Sequence, residues 1–93
     1  MKTYHEKMES ELREKLLDEE KKMRRLRLIV DLTQAILIQQ HDLTLTEAIE
    51  IMRDAKKAAL NLFPDKESVY DLVYSPRFKK IIAQRFVIPG GKM

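Results

Sequence analysis

Apolar positions along this chain start sparse and regular, then become dense. From Thr3 to Lys22, isolated apolar residues sit in a weave of Glu and Lys. Met8, Leu12, Leu16, Met23, Leu26, Val30 and Leu37 follow a 4-4-7-3-4-7 spacing, with Glu19 and Thr33 at two further positions of the same seam. This rhythm keeps one helix face apolar, and its polar interruptions favour packing on a partner helix over a long, strict coiled coil. Between Leu26 and Ile38 only Arg27, Asp31, Thr33 and Gln34 break the apolar run. The polar stripe there is narrow, so this half is expected to be contacted on most sides.

No glycine or proline falls in the first forty residues, which predicts one helix over about 3–40. Thr3 and Glu6 have the spacing of a capping box at its start. Glu9–Arg13, Glu11–Lys15, Asp18–Lys22 and Glu20–Arg24 place acid four residues before base, the favourable orientation on a helix surface. The helix should break at His41–Leu43. Thr44 and Glu47 then form a second capping box, with Leu43 and Ala48 placed as its hydrophobic staple.

A second helix is expected over about 45–62, with Leu45, Ala48, Ile49, Met52, Ala55, Ala59, Leu62 and Phe63 along its buried edge. Phe63 precedes Pro64 and should end it. Asp65 is the expected N-cap of a short third helix, about 66–74. Ser75 followed by Pro76 has N-cap then N1 chemistry and opens a fourth, about 76–86. The fold class is therefore an all-α small bundle with a long N-terminal helix, an antiparallel second helix and two short C-terminal helices. Residues 1–86 make one domain and 87–93, with Pro89-Gly90-Gly91, a flexible tail.

Helix lengths do not match. The second helix spans about 27 Å at 1.5 Å per residue and can cover only residues 23–40 of the first. Residues 3–22 are left as a protruding or dimerising arm unless the last two helices or a second chain lie against them. Val69, Tyr70, Leu72, Val73, Tyr74, Phe78, Ile81, Ile82 and Phe86 form the apolar set expected to close the open end of the hairpin. Met8, Leu12, Leu16, Leu17, Met23 and Leu26 are the expected interface residues, and a homodimer through helix 1 is the expected assembly.

Charge sharpens this picture. Charged residues make up 35% of the chain, above the roughly 25% of ordinary globular chains. The net charge of +3 is segmented: residues 1–20 hold four basic and seven acidic groups, residues 21–27 hold five basic and none acidic. Lys21, Lys22, Arg24, Arg25 and Arg27 spread around the helix as a collar. In an antiparallel homodimer centred near Asp18, the acidic half of one chain would lie beside the collar of the other, setting register more than affinity. Arg77, Lys79, Lys80 and Arg85, with Lys92 beyond them, form a second basic group. It supports the alternative of a small DNA- or RNA-associated regulator whose fourth helix enters a groove, with Lys21, Lys22, Arg24, Arg25 and Arg27 as possible further anion or nucleic-acid contacts. The single Ser–Pro junction before that helix and its apolar other face argue against it.

Catalytic chemistry has little to work with. His5 and His41 are the only two histidines. No Ser–His–Asp order, HExxH pattern or phosphate loop occurs, and Gly90-Gly91-Lys92 lacks the strand and hydroxyl a P-loop needs. His5 and Glu9 would share a helix face but supply two ligands where zinc takes three or four. The expectation is no enzyme, no cofactor and no metal. Tyr70, Tyr74 and Phe78, four apart, are either an aromatic docking surface or core, and core is the commoner fate. The chain has no cysteine, its longest apolar runs are four residues and its N-terminus is charged, so a soluble cytoplasmic protein with no membrane partner is expected.

Overall fold

The 36-residue first helix carries the fold and also outruns it. The computed structural model describes residues 4–86, with side chains from Glu6 onward. Within them α1 is Tyr4–Gln39, α2 Leu45–Leu62, α3 Glu67–Val73 and α4 Ser75–Arg85, an all-α small bundle as the pattern predicts. The expected cap at Thr3 and the tail 87–93 lie outside the described residues.

The second capping box forms as read. The Thr44 hydroxyl accepts from the Glu47 amide at 3.1 Å, and the Glu47 carboxylate accepts from the Thr44 amide at 3.0 Å. Hydrogen bonds to the Glu47 carboxyl, first from the Thr44 backbone amide and then from the Thr44 side chain, hold it below its ordinary pKa. Leu43 and Ala48, the staple positions, are both buried. The α2 helix ends before Pro64, with the Phe63 amide donating to the Ala59 carbonyl at 3.0 Å.

Two caps differ from expectation. The Lys66 amide donates to the Phe63 carbonyl at 3.1 Å, closing a turn that holds Asp65 in its interior. Lys66 therefore takes the N-cap position of α3, without a side-chain bond. Ser75 is likewise the first residue of α4 rather than its cap, and Tyr74 serves as the last cap of α3 and the first of α4. The Ser75 hydroxyl donates backward to Asp71 Oδ1 at 2.9 Å, tying the two short helices together.

The core is a continuation of the seam. Leu26, Val30, Thr33 and Leu37 are the buried residues of α1. Ala48, Ala55 and Ala59 face them from α2, Tyr70 from α3, and Phe78 and Ile82 from α4. Phe78 and Leu37 are the largest fully buried side chains. Thr33 sits at a seam position at no polar cost, because its hydroxyl donates to the Ile29 carbonyl at 2.7 Å.

Only one side of α1 is covered. The α2 and α4 helices both pack on it, whereas the α3 backbone packs on α2 and α4 and stands off from α1, reaching its side through Tyr70. Leu28, Leu32 and Ile36, four apart on the far side, remain exposed. The expectation of contact on most sides is corrected here, since both covering helices lie on the seam side. Of the apolar set expected to close the hairpin, Tyr70, Phe78 and Ile82 are buried and Tyr74, Ile81 and Phe86 pack against the core, whereas Val69, Leu72 and Val73 remain exposed. The molecule measures 70 × 24 × 15 Å, its long axis extended by residues of α1 that precede the first buried position, Leu26.

Candidate functional site

Where α1 leaves the bundle, an apolar slot opens between it and α3. Met23 and Leu26 form the α1 wall, Leu60 and Phe63 at the end of α2 form the floor, and Val69, Tyr70 and Tyr74 form the opposite wall. Glu19 and Lys66 stand at its lips, and it encloses about 300 Å³. The Lys22 ammonium sits 5.9 Å from the Phe63 ring centre and 3.8 Å from Glu19 Oε1, rather than pairing with Asp18.

The far wall is held by a clamp. Lys56 Nζ lies 3.0 Å from Glu67 Oε2 and 3.0 Å from Asp71 Oδ1, pinning α3 to α2. Hydrogen bonds that Lys56 donates to Asp71 and then Glu67 raise its pKa, and those that Asp71 accepts from Lys56 and then Ser75 lower that of Asp71. Behind the clamp, the Tyr70 hydroxyl is buried with no protein hydrogen-bond partner, and burial pushes its pKa up to about 12. The Tyr70 and Tyr74 rings meet at 5.4 Å and 45°. Tyr70 and Phe78 are core residues, so the aromatic trio is not a free docking surface, though Tyr74 does border the slot.

The six expected interface residues do not share one fate. Met8, Leu12, Leu16 and Met23 are exposed and continue the seam face beyond the core. Leu26 is only 7% exposed and belongs to the chain's own core. Leu17 lies eleven residues from Leu28, about three helical turns, which puts it on the far side with Leu28, Leu32 and Ile36. That far stripe was missed in the sequence, although its four-residue spacing is visible there.

Of the collar, Lys21, Arg24, Arg25 and Arg27 are exposed and Lys22 is half-buried over Phe63. The C-terminal basic group is divided. Arg85 donates to the Leu37 carbonyl at 2.7 Å and to the Gln40 carbonyl, closing the end of α1. The last turn of α1 has no basic residue of its own, so a guanidinium from α4 supplies the charge that its carbonyl end favours. Arg77 lies 5.8 Å from the Tyr74 ring centre, and Lys79 and Lys80 face solvent.

Among the described residues, no three His, Cys, Asp or Glu side chains gather around a possible metal position. The His5 half of the weighed His5–Glu9 pair lies outside the described side chains. No described helix is long and apolar enough to cross a membrane. No family model, characterised protein or solved structure matches the chain.

Proposed function

We propose that the protein is a non-catalytic helical interaction and assembly module that self-associates through α1. The observation that carries this reading is where the exposed apolar surface lies. Of the twelve large apolar side chains exposed among the described residues, nine are on α1: Met8, Leu12, Leu16, Leu17, Met23, Leu28, Leu32, Ile36 and Ile38. Apolar positions that recur on a helix face without intramolecular cover are a contact surface for another chain. Met8, Leu12 and Leu16 extend a seam already used for packing inside the bundle, which supports coiled-coil-like pairing of the arm. A homodimer in the cytoplasm is the assembly this reading implies.

The alternative, a DNA- or RNA-associated regulator, retains Arg77, Lys79 and Lys80 but loses Arg85, whose guanidinium is engaged at the end of α1. The assembly reading is tested in the full chain. Leu12→Asp with Leu16→Asp should convert a dimer to a monomer in sedimentation equilibrium, while helicity by circular dichroism is kept because both sites are exposed. An unchanged mass for this variant would overturn the role of the arm.

A further inference from the structure

We propose that the slot between α1 and α3 is the receptor for the arm of a second copy, laid antiparallel so that the partner's Leu12 seats against Met23. This inference rests on the self-association reading and specifies its geometry.

Three observations carry it. First, the slot is continuous with the arm: Met23 and Leu26, its α1 wall, share the seam face with Leu16, Leu12 and Met8. A helix following that seam inward from the arm therefore arrives in the slot. Second, the bundle dictates direction. The seam face of α1 from Leu26 onward is covered by α2 and α4. A parallel partner would bring its own bundle into the same space. It would also set Glu19 against the partner's Glu19 inside the seam, whereas an antiparallel partner carries its bundle to the opposite end.

Third, charge selects the register. Seam positions interlock when Leu12 lies beside the partner's Met23 and Leu16 beside the partner's Glu19. The flanking positions then set Arg13 beside the partner's Glu20, a pair that occurs twice by symmetry. One like-charge pair, Lys15 with the partner's Lys22, also occurs twice and is eased because Lys22 leans onto Glu19 and Phe63. A shift of one heptad toward the arm's tip sets Arg13 against the partner's Arg13 and Lys15 against the partner's Lys15. A shift the other way drives the partner into α2 and sets Glu20 against the partner's Glu20. Like charges at these flanking positions are what specify against a wrong register. In the favoured register the partner's Leu12 reaches the slot, where Val69 and Phe63 offer apolar cover that the arm alone lacks.

The absence of cysteine makes the test direct. Leu12→Cys with Met23→Cys should oxidise to a covalent dimer. The two positions are eleven residues apart on one helix, about 16 Å, too far for an intrachain disulfide. Leu12→Cys alone should stay uncrosslinked, since its two copies would lie about 16 Å apart in this register. In a non-covalent assay, Val69→Glu, at an exposed slot wall, should weaken dimerisation about tenfold or more, a change of about 1.4 kcal/mol. Leu32→Glu on the far side should leave it unchanged. Crosslinking of the single variant would bring the two Leu12 positions together, as a parallel pair or the tip-shifted antiparallel register does, and would overturn the proposal. A dimer sensitive to Leu32→Glu but not to Val69→Glu would overturn it while leaving self-association intact. A full chain that is monomeric would overturn both readings.

Discussion

Arg85 closes a helix to which it does not belong. Its planar fork reaches two carbonyls of the α1 terminus, Leu37 and Gln40, an arrangement that a single ammonium reproduces poorly. Hydrogen bonds from a charged donor are worth about 1.5–3 kcal/mol each, toward the lower end where water competes. Arg85→Ala should therefore lower stability by about 1–3 kcal/mol in urea unfolding, with Arg85→Lys recovering only part. Equal stability of the Lys variant and the parent would contradict the fork geometry. The contact spans forty-five residues or more, and no local pattern encodes it. The sequence does hold the complementary deficit: Ile36-Leu37-Ile38-Gln39 ends a helix without a cation. Thr33 was legible in a different way. Its place in the heptad spacing marked it for the core, and the i−4 carbonyl satisfies its hydroxyl wherever the helix puts it.

At the scale of elements, helix existence followed from the periodicity of α1 and α2, because each has enough turns to show a stripe. The α3 helix has seven residues, too few to be stable alone. Its apolar residues, Val69, Tyr70, Leu72 and Val73, point several ways at once, so no spacing could show that Tyr70 turns inward and Leu72 outward. The slot follows from that choice and was not legible. Core burial of Tyr70 and the clamp from Lys56 together hold α3, and the clamp's pH window follows from the signs of the shifts. Asp71 has a lowered pKa, so its contribution is complete above 3.8 and is lost as pH falls through the lower folded value. Lys56 has a raised pKa, so its contribution is complete below 10.5 and is lost as pH rises through the higher folded value. Tyr70 adds a further alkaline loss between its ordinary 10.0 and about 12. Amide exchange in α3 should therefore have its best protection between about pH 4 and pH 10, after correction for intrinsic rates. Lys56→Met should remove much of that protection within the window while leaving α2 protected. Unchanged α3 protection in Lys56→Met would contradict the clamp.

For the whole molecule, the decisive mismatch is between the length of α1 and that of its cover. The 18 residues of α2 define how far the core can extend, and Leu26 marks where it stops. Residues before it are helical, charged and edged with leucine, a combination suited to pairing across a surface that stays wet at its rim. In the antiparallel register the two bundles stand at opposite ends of a shared arm. From the arm's midpoint to the far end of one 70 Å molecule is about 50 Å, so the dimer should be about 100 Å long. Pairing through Leu28, Leu32 and Ile36 would instead set the bundles side by side in a shorter particle. Small-angle X-ray scattering of the full chain measures mass and length together. The account predicts a particle of twice 11.0 kDa with a maximum dimension of about 100 Å. A particle of 11.0 kDa and 70 Å would contradict it.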